Sequence, residues 1–109
     1  MLKFDPPSEE LLKELREKHG DDLREVEDNG RSFILVKPEK PRGYVDRFVS
    51  TAGNDKKRLE ACELLAKSCC VYPDKETLKL VFDDEPGMAF SLSEPATEML
   101  GLRQLAVKK

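Results

Sequence analysis

Asn29-Gly30 fixes more of this chain's fold than any other pair of residues in it. A two-residue type I′ turn needs φ > 0 at both central positions, and Asn followed by Gly tolerates this best. The turn sets the register on either side, so that Val26 faces Phe33 and Arg24 faces Leu35. Val26, Phe33 and Leu35 then share one side of the ribbon, while Ile34 and Val36 point to the other, because side chains alternate along a strand. No other segment reads as a strand. The expectation is a hairpin over residues 22–37 with two unpaired edges and apolar residues on both faces, more than a chain of 109 residues covers easily. Another copy of the chain, or a partner, is expected to cover Ile34 and Val36.

The segments around the hairpin read as helices. Ser8 suits an N-cap, with Glu9 and Glu10 at the positive end of the dipole. Leu11, Leu12 and Leu15 give a short apolar stripe, and Gly20 suits the left-handed position after a helix over 8–19. Pro38 ends the second strand and Pro41 opens a second helix, which Gly53 closes. Asn54 or Asp55 is expected to cap a third helix through about Cys70, and Asp74 a fourth carrying Leu78, Val81 and Phe82. Met88, Leu92, Ala96 and Met99 mark a fifth helix that Pro95 should kink near Ser91, or restart with Ser93 as cap, before Gly101 ends it. Residues 103–109 read as a fraying tail. The fold class is α+β and mainly helical: one domain over 1–109, an N-terminal helix and β-hairpin followed by a bundle of about four helices over 41–102.

Composition removes several functional classes. Nineteen basic residues against 22 acidic give a net charge of −3, which supplies no basic footprint for nucleic acid. The longest apolar runs are four residues, too short to span a membrane, and Met1–Pro7 has no signal-peptide core. An intracellular protein is expected. Cys62, Cys69 and Cys70 are an odd, clustered set, unlike a disulfide framework. A strained vicinal disulfide or a metal site is conceivable in principle, but no Cys-x-x-Cys is present and His19 is far away. On a helix Cys62, Leu65, Ala66 and Cys69 form one stripe with Leu59, and the reading favoured is small buried hydrophobes.

Catalytic chemistry is poorly supplied. His19 is the only histidine and falls in the last turn of the first helix, where a C-terminal capping role outweighs a catalytic one. Asp83-Asp84-Glu85 reads as a solvated charge run, because consecutive carboxylates on a helix point apart. Glycine-rich phosphate loops are absent from the sequence. No cofactor and no metal are expected.

Tyr44 and Phe48, one helical turn apart, invite two readings. They are either the core face of the second helix or an exposed anchor for a partner, flanked by Arg42 and Arg47 in the Tyr-plus-Arg composition of binding hot spots. Ile34, Val36, Arg42, Tyr44, Arg47 and Phe48 are therefore the candidate partner or self-association residues.

The order of these features resembles a known family. A leading helix precedes a hairpin ending Phe33-x-x-x-x-Pro38, then comes a helical Tyr44-x-Asp46-Arg47-Phe48. A helix closing on Cys69-Cys70-Val71-Tyr72-Pro73-Asp74 follows, then Glu85-Pro86-Gly87 and a final Leu100-Gly101. Over roughly residues 9–102 this set is similar to the small tail assembly chaperones of long-tailed bacteriophages. The resemblance implies a non-enzymatic protein of the infected bacterial cytoplasm, absent from the mature virion. It implies self-association into a homo-oligomer and binding to the long, helical tape measure protein, with the tail tube protein as a further partner. The alternative is a small intracellular adaptor or regulator that engages a host or phage partner by strand addition or by helix-in-groove contact.

Overall fold

In a computed structural model, which describes residues 1–52 and 57–101, five helices and a three-stranded antiparallel sheet make a mainly helical α+β domain. The chain runs α1 (Glu9–His19), a 3₁₀ turn (Gly20–Asp22), β1 (Leu23–Asp28), β2 (Arg31–Val36), α2 (Pro41–Ala52), α3 (Arg58–Cys69), β3 (Cys70–Tyr72), α4 (Lys75–Asp84) and α5 (Met88–Met99). Ser8 caps α1 as its sequence position demands, accepting a hydrogen bond from the Leu11 N–H at 3.1 Å. Asp74 stands at the N-cap of α4 in extended backbone, without a side-chain capping bond.

The hairpin has the expected register, Val26 opposite Phe33 and Arg24 opposite Leu35. Asn29 and Gly30 sit at φ 50° and 83°, the left-handed pair that a I′ turn requires. What the sequence reading missed is β3. Cys70–Tyr72 pairs antiparallel with β2 through Ile34–Tyr72 and Leu35–Cys70, with a register shift between them. The sheet order is β1-β2-β3, so β2 is the central strand and the expected pair of open hairpin edges does not exist. Three residues are too few to show a hydrophobic alternation of their own, and Cys69-Cys70 continues the apolar stripe of α3.

This placement overturns the expectation that Ile34 and Val36 lie bare. They are 0% and 7% exposed within one chain. Phe33 and Leu35 face the main core, formed with Cys62, Leu65, Leu78, Phe82, Leu92 and their neighbours from α3, α4 and α5. On the opposite face Glu25, the cross-strand partner of Ile34, is bonded to Arg16 of α1 at 3.2 Å, so α1 is tied to the side that Ile34 occupies. Burying side chains of this size contributes about 2 kcal/mol each, and both faces of β2 draw on that within a single chain.

Two further differences concern the helices. Leu59, placed on the buried α3 stripe by spacing, is 37% exposed, whereas all three cysteines are buried as expected. Pro95 lies inside a continuous α5; Ser93 does not restart the helix but donates from its hydroxyl to the Phe90 carbonyl at 2.8 Å. The expected closure of α2 at Gly53, the caps at Asn54 or Asp55 and the tail at 103–109 lie outside the described residues.

Candidate functional site

Helices α2 and α3 pack against each other and leave a shallow crevice along their joint. One wall is Tyr44, Arg47 and Phe48 of α2; the other is Ala61, Leu64, Leu65 and Ser68 of α3. Both sets follow helical spacing, i, i+3 and i+4 in α2 and i, i+3, i+4 and i+7 in α3, which brings each onto one face. Ala61 and Leu65 are buried and form the floor, while Leu64 is 42% exposed at the rim. Ser68 spends its hydroxyl on the Leu64 carbonyl at 2.8 Å, so the wall presents little unpaired polarity. A second hollow, lined by Lys40, Gly43, Tyr44 and Arg47, adjoins the first. Tyr44 and Arg47 thus stand between the two.

The structure separates the candidate residues. Tyr44, Arg47 and Phe48 come together at the crevice. Tyr44 and Phe48 are both half-buried; Phe48 packs on the main core, which supports the core reading for that ring. Arg42 lines neither hollow; it is exposed, with its Nε 4.0 Å from Asp46 one turn on. Ile34 and Val36 belong to the interior.

The chemistry-bearing group that sequence reasoning missed is Arg31. Its side chain is 2% exposed. Nη1 donates to Glu85 at 2.7 Å and to the Leu2 carbonyl at 3.0 Å, and Nη2 donates to Asp28. The guanidinium carbon lies 5.7 Å from the centre of the Phe33 ring, and Nε is buried with no hydrogen-bond partner. Burial works against the charge, but the hydrogen bonds to Glu85 and Asp28 outweigh it and hold the pKa above the ordinary arginine value. Glu85 is therefore not part of a solvated run, as Asp83-Asp84-Glu85 suggested. A signal was present: Arg31, Phe33 and Leu35 alternate onto the same face of β2, which puts a guanidinium on the core side and demands acidic partners.

The cysteines do no visible chemistry. Burial pushes the Cys69 thiol up to about 11 and the Cys70 thiol up to about 12, so both are protonated near neutrality and poor nucleophiles. Cys70 donates its S–H to the Tyr72 carbonyl at 3.1 Å. Among the described residues no group of three or more His, Cys, Asp or Glu side chains is placed to hold a metal ion, and no helix is long and apolar enough to cross a membrane.

A family model described as a domain of unknown function, DUF6848, matches residues 14–109. The chain belongs to this family. No curated protein matches the DUF6848 chain. A solved structure of an uncharacterised protein from Bacillus stearothermophilus is similar in fold, with a TM-score of 0.72 at 24% identity, covering 90% of this chain and 99% of that one. At that identity the likeness speaks to the fold of the DUF6848 chain alone.

Proposed function

We propose that this protein is a non-enzymatic tail assembly chaperone that holds an amphipathic helix of the tape measure protein in the crevice between α2 and α3. The carrying observation is that shallow crevice, where Tyr44, Arg47 and the part-exposed Leu64 stand over Ala61 and Leu65, which are already buried beneath them. An apolar floor with an aromatic and an arginine at its edge suits a partner helix reading i, i+3, i+4, i+7. The ordered motifs that resemble phage tail assembly chaperones supply the identity of that helix, and Tyr44-x-Asp46-Arg47-Phe48 is the motif that forms one crevice wall. In this reading the protein acts in the cytoplasm of the infected bacterium, leaves before the virion is complete, and meets the tail tube protein during polymerisation. Self-association, which the resemblance also implies, uses a surface other than Ile34 and Val36.

Helix-in-groove contact is favoured over strand addition by the sheet edges. The outer edge of β1 carries Arg24, Glu25, Glu27 and Asp28, charges that discourage a further strand, and β3 offers three residues. The test is co-expression with the tape measure protein of the same phage. The expected result is a soluble tape measure protein that co-purifies with the wild-type chain and is lost with Tyr44→Ala. An insoluble tape measure protein in the presence of abundant folded chain would overturn the proposal.

A further inference from the structure

Residues 1–8 form no regular secondary structure, yet they are fastened down at several points. Leu2 and Phe4 are half-buried and pack on the main core, whereas Met1, Lys3 and Asp5 are exposed. That is the period-two pattern of an extended strand, but no backbone ladder holds it. Side chains of the domain grip the backbone instead. Arg31 donates to the Leu2 carbonyl at 3.0 Å, and the Tyr72 hydroxyl donates to the Asp5 carbonyl. Between these two points the Phe4 ring stands edge-on to Phe33, 5.3 Å between centres at 80°, and to Tyr72, 6.1 Å at 64°.

From this arrangement we infer that Phe33, Tyr72 and Arg31 form a binding groove for an extended peptide of apolar-x-aromatic pattern, occupied in this structure by the chain's own Leu2-Lys3-Phe4. The recognition logic is general. Carbonyl oxygens are common to every peptide, so the bonds from Arg31 and Tyr72 position any extended segment without selecting its sequence. Selection falls on the apolar side chain and the aromatic ring two residues later. Arg31 is suited to its part because Glu85 and Asp28 already hold it rigid and charged, which leaves one N–H aimed at the incoming carbonyl. Pro6-Pro7 joins the segment to α1 as a stiff connector, so the segment docks as a preformed arm. A partner segment of the same pattern competes with it for the groove.

The experiment measures binding in trans to the full-length chain, with fluorescence anisotropy of the labelled peptide Met-Leu-Lys-Phe-Asp-Pro-Pro-Ser as readout. In the wild type the tethered segment is present at an effective concentration near the millimolar range and excludes the peptide, whereas Phe4→Ala releases the groove and raises peptide affinity at least about ten-fold. Adding Tyr72→Phe to Phe4→Ala is expected to weaken the peptide roughly three- to ten-fold by deleting the donor to its carbonyl. A peptide with alanine in place of its phenylalanine is expected not to bind. Equal binding to wild type and Phe4→Ala, or no binding to a Phe4→Ala chain whose circular dichroism is native, overturns the inference. If Phe4→Ala does not fold, Leu2→Ala takes its place under the same criteria. Unfolding of both would show the segment to be part of the core and not a ligand of it.

Discussion

Replacing Arg31 is the perturbation from which the structure predicts most. The guanidinium is 2% exposed, but its acidic partners are not: Glu85 is 30% exposed and Asp28 is 38% exposed. Breaking a buried ion pair by removing one partner usually costs about 3–5 kcal/mol, because the other charge is left stranded. Here the stranded carboxylates can turn to water, which puts Arg31→Ala at the lower end, about 3 kcal/mol, from lost charge-assisted bonds and the volume vacated beside Phe33. Arg31→Met keeps most of the packing volume and removes the orphaned Nε, so its cost should be smaller, about 1–2 kcal/mol. Urea unfolding with an unchanged slope measures both, and for a domain of this size 3 kcal/mol corresponds to a fall in Tm of roughly 12 °C or more. A double-mutant cycle of Arg31→Met with Glu85→Gln should return a coupling of at least about 1 kcal/mol, since the two groups share a direct bond. If Arg31→Ala cost less than about 1 kcal/mol, or the cycle were additive, the picture of a buried cation joining the hairpin turn to the α4–α5 junction would be wrong.

Val36→Lys should cost at least about 3 kcal/mol by placing an unpaired charge at an almost fully buried site, with loss of the helical circular dichroism signal; a folded variant with reduced self-association would instead return Val36 to the surface. Tyr44→Ala should cost less than the ~3–5 kcal/mol of a fully buried aromatic and leave the fold intact, whereas Phe48→Ala should cost more than Tyr44→Ala because Phe48 also packs on the core. Stability should fall as pH rises above 9. The folded state holds the Cys69 and Cys70 protons to about 11 and 12 against 9.0 for a free thiol, so above 9 the unfolded chain binds fewer protons and gains in relative stability. Equilibrium unfolding between pH 8 and 10 tests this, and Cys69→Ala with Cys70→Ala should flatten the slope. The same burial predicts that iodoacetamide labels the two thiols slowly at pH 7.5 in the native protein and rapidly in urea.

Local chemistry was the legible part of this chain. Asn29-Gly30 specified its turn and through it the register of β1 and β2, because a I′ turn leaves no slack in pairing. Ser8 and Gly20 bounded α1 for equally local reasons. Contacts between distant residues were not legible. Nothing in Cys70-Val71-Tyr72 announces a strand, since three residues carry no periodicity, and it becomes one only because α3 delivers it beside β2. The alternation of Leu2 and Phe4 is visible in retrospect, but Pro6-Pro7 cuts it short before a pattern can register. Of the candidate site, Tyr44, Arg47 and Phe48 were found by helical spacing, which the structure preserves; Arg42 shares their helix but not their face.

The missing third strand is also what misplaced the sticky surface. With β2 at an edge, Ile34 and Val36 would have been an open invitation to another chain. With β2 in the centre, β1 shields one side with charges and β3 closes the other, and both apolar faces of β2 are filled from within. Among the described residues the large apolar side chains left exposed then fall mostly on helices: Val49 on α2, Leu59 and Leu64 on α3, Leu80 on α4 and Phe90 on α5, with Met1 in the N-terminal segment and Val71 on β3 the exceptions. Recognition by side chains on helices differs physically from recognition by a strand edge. An edge supplies backbone donors and acceptors that no single substitution removes, whereas a helical surface concentrates its affinity in a few large side chains. A partner bound by this protein should therefore be lost through one well-chosen change on α2, and Tyr44, half-buried where the crevice and the second hollow meet, is the residue where that distinction is sharpest.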